Sequence, residues 1–302
     1  MAQAISIGAS KKIDELKTEL SRDLRCFENH GYTVKMEINP QGKLTFLRCQ
    51  IQKEKVRRGN EEYAKALFKR YVAQAVSDVI LCHWEKQLLL DIIQENYYYF
   101  SEAERNSIYH YAAKAIQLDQ EEQKIPSAQW LQRRDKILQE LLAFLQSSDN
   151  IVIEGFIRFR LKAYLQELQE VADQAVDDFL LEREYKEFIQ LLQYFVDVQD
   201  TQVDKVHVLL KANGVFQLYD AQHEAIDSAY LEEFMLELMG NEINYEDMLI
   251  SALITLAPEE IEFHLGQGHP PRHTLETIQN VFGDKVKECA GCTLCKLGVE
   301  KN

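Results

Sequence analysis

The spacing of apolar residues changes period twice within the first 53 positions. AISIG at 4–8 alternates and stops at Gly8, which reads as a short strand; from Ser10 to about Asn29 the apolar Ile13, Leu16, Leu20, Leu24 and Phe27 keep to one face of a helix. YTVKMEI and KLTFLRCQI then alternate on either side of NPQG, whose Pro and Gly supply turn dihedrals. The chain therefore opens with a small β-α-β-β unit.

From Glu61 the period becomes helical. Ala64, Leu67, Phe68, Tyr71, Val72, Ala75, Val76 and Val79 form a continuous stripe, and the helix runs on through HWEKQLLLDIIQENYYYF. NYYYF reads as aromatic packing at a junction, because Ser101 and Glu104 have the spacing of a capping box that starts a new helix. The polar run DQEEQKIPSAQ at 119–129 has the composition of an exposed connection and is the expected boundary between domains at 1–120 and 127–302. Helices are expected at 128–147, 151–170 and about 174–198, the second with Ile157, Leu161, Tyr164, Leu165 and Leu168 on one face, the third with Tyr185, Phe188, Leu192, Phe195 and Val196 at helical spacing. KVHVLLKANGVFQLYD at 205–220 is the clearest hairpin, since Asn213-Gly214 tolerates the positive φ angles of a two-residue primed turn. A helix near 228–240, an apolar run, an IEFHLG strand, a TLETIQNVFG helix and a KVKEC strand complete the pattern. The fold class is α+β and predominantly helical, with the small β-α-β-β unit at the N-terminus, a helical middle, and a β-hairpin and small α/β segment at the C-terminus.

Composition sharpens this only slightly. With 46% apolar and 27% charged residues the chain is an ordinary globular one, and its 12 Gly and 5 Pro leave room for long helices. The longest apolar run, MLISALITLA, is about half of what a membrane span needs, and the start MAQAISIGASKK lacks the charged region that precedes a secretion signal; a cytosolic protein is expected, with no membrane partner. Net charge is −15, unevenly spread: residues 1–70 carry 15 Lys plus Arg and 9 Asp plus Glu, while the rest carry 19 and 40. The basic front end, densest at KEKVRR (53–58), would allow binding to RNA or an acidic partner, but no aromatic residue interleaves to stack bases, so a solvated strand end is preferred over nucleic acid.

The chemistry concentrates in CAGCTLC at 289–295. Six cysteines in a reducing compartment are not a disulfide framework. Cys26, Cys49 and Cys82 fall inside helix or strand patterns and read as small core hydrophobes, whereas Cys289, Cys292 and Cys295 form overlapping CxxC bites, with Gly291 free to let the backbone turn the three sulfurs inward. Zinc needs a fourth ligand. An iron–sulfur pattern would place a cysteine where Val299 stands. The spare ligands are in HLGQGHPPRH: His264, His269 and His273, the last two flanking a Pro pair that keeps the loop extended; His273 and His269 are the candidate fourth ligands beside the three cysteines. Redox-sensing thiols or an inert tail are the other readings of the triplet. EGFIRFRLKAY at 154–164 sets Arg158, Arg160 and Lys162 among aromatics, a candidate contact for a protein partner, with Arg158 and Lys162 as i,i+4 neighbours on one helix flank. GxGxxG, GxxxxGK[ST], HExxH and GxSxG do not occur, so dinucleotide, nucleotide-phosphate, zincin and hydrolase readings lose their signatures, and no small-molecule substrate is evident.

IEGFIRFRLKAY, VDDFLLEREYKEFIQLLQYFV at 176–196, the KVHVLL hairpin, and TIQNVFG followed by CAGCTLC resemble the YtxC-like sporulation proteins of spore-forming Firmicutes over about residues 150–297. The resemblance implies a cytoplasmic bacterial protein connected with sporulation, and it carries no catalytic residue over. The residues and the resemblance together point to a non-enzymatic, partner-binding protein with a C-terminal zinc or iron–sulfur site. An iron–sulfur or thiol redox protein is the first alternative and nucleic-acid binding through residues 1–70 the second.

Overall fold

A computed structural model describes residues 3–25, 27, 32–53, 61–118, 127–210, 216–226, 245–265 and 272–297. The chain forms two compact units, 1–180 and 181–302, and the division falls inside a single long helix. No helix among the described residues is long and apolar enough to cross a membrane.

The first unit begins as its periodicity dictates: β1 (Gln3–Ala9), α1 (Ile13–Asp23), β2 (Tyr32–Gln41) and β3 (Leu44–Lys53). The turn is Gly42-Lys43 rather than NPQG, because β2 stays paired through Asn39 and Pro40 to Gln41, opposite Leu44. Pro40 is tolerated there because β2 is the edge of the sheet, and Gly42 takes the positive φ of 64° that the turn demands. The sheet order is β2-β3-β1-β4, its last strand being the short β4 (Asn150–Val152), parallel to β1.

The helical middle comprises α2 (Glu61–Val79), a π turn (Ile80–Trp84), α3 (Glu85–Asn96), α4 (Glu102–Ala115) and α5 (Ala128–Ser147). The capping box at Ser101 forms as read: its hydroxyl accepts from Glu104 N–H at 3.3 Å while the Glu104 carboxylate accepts from Ser101 N–H at 2.7 Å. In NYYYF, Tyr97 and Phe100 are buried and Tyr98 and Tyr99 exposed, with the rings in successive contacts from Tyr97 to Phe100 and on to Phe179. The expected connection at 119–129 lies mostly outside the described residues. The helix beyond it, α5, packs within the first unit, where Arg134 pairs with Asp78 and Lys69 donates to the Leu145 carbonyl.

The helix expected at 151–170 is broken. Its first residues belong to β4, α6 (Ile153–Arg160) follows, and Leu161 leaves helical geometry (ψ 37°) before α7 (Lys162–Val198) begins. The anticipated helices at 151–170 and 174–198 are thus redistributed: residues 162–198 are one continuous element. Cys49 is buried as read, Cys82 is exposed on the π turn, and Cys26 lies outside the described residues.

The second unit has a sheet of order β6-β5-β7-β8, built from β5 (Val203–Leu210), β6 (Phe216–Tyr219), β7 (Pro258–His264) and β8 (Val286–Glu288). β5 and β6 are the antiparallel hairpin, whose Asn213-Gly214 turn lies outside the described residues, as does the helix read at 228–240. β5, β7 and β8 run parallel, with α8 (Tyr245–Leu256) before β7 and α9 (Arg272–Phe282) between β7 and β8. One sheet face carries Val206, Val208, Ile261 and Phe263 into a core with Leu253, Ile278 and Phe282. On α7, Ile189 and Val196 are buried in that core, with Tyr185 and Leu192 packed against it, whereas Phe188 and Phe195, read from spacing as part of the stripe, are 53% and 45% exposed. The packed set follows i, i+4, i+7, i+11, and the two phenylalanines lie on the adjoining face.

Candidate metal centre

Strand alternation gives the second sheet a polar face opposite its core face. Lys205 and His207 of β5 lie beside Glu260 and Glu262 of β7, and Lys287 of β8 beside Glu262, all on that face, with His264 two residues beyond Glu262. Lys205 Nζ lies 2.7 Å from carboxylate oxygens of both Glu260 and Glu262, and Lys287 Nζ lies 2.6 Å from Glu260. The two ammonium groups lower Glu260 to about 2, and Lys205 lowers Glu262. Toward the carboxyl ends of the strands the face becomes buried: His207 is 5% and His264 1% exposed. Desolvation lowers the pKa of both imidazoles.

His264 is the last residue of β7, and Cys289 directly follows β8, its N–H donating to the Phe263 carbonyl at 2.9 Å. Gly291 (φ +117°) turns the chain and donates its N–H to Cys289 Sγ at 3.5 Å; α10 (Thr293–Leu297) then carries Cys295. The glycine freedom read from the sequence is used here, because a side chain at that φ is strained. Leu294 is buried and anchors the turn.

The result is a four-ligand group. Cys292 Sγ and Cys295 Sγ lie 3.9 Å apart, His264 Nδ1 lies 3.2 Å from the first and 3.5 Å from the second, and all four ligand atoms, Cys289 Sγ included, fall within 4.8 Å of one another. Tetrahedral zinc with bonds of ~2.3 Å to sulfur and ~2.0–2.1 Å to nitrogen has edges of ~3.8 Å between sulfurs and ~3.6 Å from sulfur to nitrogen. A mononuclear Cys3His centre therefore fits with small adjustments, and it closes without a water position. The Gly291 N–H lowers the Cys289 thiol, but desolvation and hydrogen bonding shared with Cys292 and Cys295 prevail and push it up to about 11. Burial raises Cys292, but backbone N–H groups of Cys295 and Leu294 and the neighbouring thiols outweigh it, so its thiol is lowered.

The three cysteines are brought together as the CxxCxxC spacing implied. The fourth partner in the group is His264. His269 lies outside the described residues, and His273 falls in the first turn of α9, where only its backbone is described. His207 and Glu262 were not singled out from the sequence. The available signal was a histidine set within each of two strands, KVHVLL and IEFHLG, whose other positions are largely apolar. Arg158, Phe159, Arg160 and Lys162 are all exposed, Phe159 at 67%, but the break at Leu161 places Arg158 and Lys162 on different helices instead of one flank. The Arg158 guanidinium lies near the Phe159 ring, and that of Arg160 5.6 Å from the Phe144 ring centroid. Residues 54–58 of KEKVRR lie outside the described residues.

Fold and site together define a predominantly helical α+β protein whose C-terminal sheet ends in a Cys3His group able to hold a metal ion. Residues 70–287 match the YtxC-like family, and the chain belongs to it. It is 27% identical over 242 residues to a Bacillus subtilis (strain 168) protein described as uncharacterized protein YtxC, an alignment covering 78% of this chain and 83% of that one. No solved structure matches. The family match includes the strands bearing His207, Glu262 and His264 and ends two residues before Cys289.

Proposed function

We propose that this is a non-enzymatic, cytosolic protein that acts through a protein partner, and that Cys289, Cys292, Cys295 and His264 hold one structural zinc ion that ties the C-terminal segment to the sheet. The observation that carries this reading is the set of three sulfurs and one buried imidazole nitrogen that all lie within 4.8 Å of one another. The spacing favours zinc over an iron–sulfur cluster: thiolates on different irons of a cluster are held well apart, whereas the Cys292 and Cys295 sulfurs lie 3.9 Å apart, close to the edge around a single ion, and Cys289 Sγ is within 4.8 Å of both. A site with four protein ligands stabilises structure, since it leaves no open position for a substrate. The family resemblance supports a role in sporulation, and the exposed Arg158, Phe159, Arg160 and Lys162 support an acidic protein surface as the partner's contact.

Metal analysis of the full chain, purified under reducing conditions, tests the centre: one zinc per chain is expected for wild type and close to none for Cys292→Ser. Iron in place of zinc, or equal zinc in both proteins, would overturn it. For the partner surface, cross-linking in sporulating cells should lose a specific adduct when Arg158, Arg160 and Lys162 are all changed to Ala; an unchanged pattern contradicts that assignment.

A thiol-redox reading is favoured by one feature, the 3.9 Å separation of the Cys292 and Cys295 sulfurs. It requires the metal-free protein to form a reversible Cys292–Cys295 disulfide while zinc-loaded protein resists the same oxidant no better.

A further inference from the structure

The imidazole of His264 has two ring nitrogens, and only Nδ1 faces the sulfurs. Nε2 points the other way and lies 2.9 Å from Nδ1 of His207. His207 is itself framed: Glu262 Oε2 is 3.3 Å from the same nitrogen, and the His223 ring covers it with centroids 4.7 Å apart. Glu262 is in turn held by Lys205 at 2.7 Å.

His207, Glu262 and His264 also have ligand atoms close enough to surround a second ion. Charge argues against that use. The Lys205 ammonium already lies against the carboxylates of Glu262 and Glu260, so a further cation would sit beside a fixed positive charge inside a largely buried group. The set is better suited to fixing a ring than to binding an ion. A metal ion on Nδ1 leaves the one proton of His264 on Nε2, and the Nδ1 lone pair of His207 is placed to accept it, with the proton of His207 then on its own Nε2.

We propose that His207 is the positioning residue of the metal centre: by accepting a hydrogen bond from the Nε2–H of His264 it fixes the ring orientation and tautomer that direct Nδ1 at the ion. This rests on the zinc reading above and adds to it a residue that never touches the metal. Outer partners of ligating histidines make the ligand more basic and remove the freedom of the ring to rotate away, and their loss typically weakens metal binding about 10–100-fold.

The test is competition for zinc against a chromophoric chelator, using the full reduced chain at fixed pH. His207→Leu removes the acceptor and keeps apolar bulk; His207→Asn returns an amide oxygen close to the position of Nδ1. Zinc binding about 10–100-fold weaker is expected in His207→Leu, with most of the loss recovered in His207→Asn, while both still take up one zinc at saturation. His207→Phe, which keeps a ring without a nitrogen, serves the same comparison if the Leu variant does not fold. Wild-type affinity in the Leu or Phe variant, or equal weakening in the Asn variant, would overturn the proposal. A wild-type chain that takes up no zinc would instead overturn the centre itself.

Discussion

The first unit sets the buried ion pair of Glu85 and Arg133 inside a large apolar core, whereas the second buries the imidazoles of His207 and His264 toward the end of a small sheet. In the first, Glu85 (1% exposed) meets Arg133 Nε at 2.8 Å and accepts from the Tyr164 hydroxyl at 2.8 Å, just after the π turn of the α2–α3 helix. Burial pushes the Glu85 carboxyl up, with Arg133 and Tyr164 opposing. Around it an uninterrupted apolar cluster runs from Ile5 to Val176. Among the described residues the second unit has a smaller cluster, and its three-residue β8 leads straight to the cysteines. A three-residue strand followed by a five-residue helix gains little from apolar burial, so the proposed metal crosslink would supply cohesion that this segment otherwise lacks. In the first unit cohesion is spread over many side chains; in the second, on the proposed zinc reading, a few ligands would add what the smaller cluster does not supply.

Withdrawing metal should therefore separate the units most sharply. Structural zinc in small peptides binds with roughly 10 kcal/mol or more of free energy, which becomes folding free energy. In hydrogen exchange, chelator is expected to collapse protection in β7, β8 and α9 and to leave β1, β3 and α2 unchanged; equal loss in both units would erase the contrast. Smaller, and in the opposite unit, is the effect of Glu85→Ala, which leaves Arg133 buried without its carboxylate: about 3–5 kcal/mol of destabilisation, read by denaturant unfolding of the first unit with zinc retained. Phe263→Ala in the smaller core should cost a comparable ~3–5 kcal/mol by opening a cavity, confined to the second unit and lowering zinc occupancy with it.

The smallest effect is electrostatic. Lys205 and Lys287 hold the folded pKa of Glu260 below its ordinary 4.5, at about 2. A depressed carboxylate pKa adds stability that is present above 4.5 and lost as pH falls toward 2. Glu260→Gln should flatten the second unit's stability across that window, relative to wild type and without chelator, and leave the first unit's pH profile unchanged; an identical slope in the variant would show that the Lys–Glu ladder contributes nothing.

Much of this contrast was legible in the chain. Periodicity gave the β-α-β-β opening, the capping box at Ser101, the hairpin strands and the β-α-β arrangement of β7, α9 and β8, because each depends on local alternation or local turn chemistry. The break at Leu161 was not legible, since Ile157, Leu161, Tyr164 and Leu168 keep helical spacing across it, and β4 forms only by pairing with β1 some 140 residues away. At the site, cysteine spacing pointed to shared sulfurs, but the partner imidazole depends on parallel strand pairing. That pairing brings the ends of β7 and β8 together and sets His207 beside Glu262, next to His264, and no local pattern reports it.

The measurement that bears most directly on the centre is X-ray absorption at the zinc edge of the full chain, purified reduced. A Cys3His ion gives three sulfurs at ~2.3 Å and one nitrogen at ~2.0–2.1 Å. A shell of four sulfurs, a shell of oxygen and nitrogen alone, or iron where zinc is expected would contradict it.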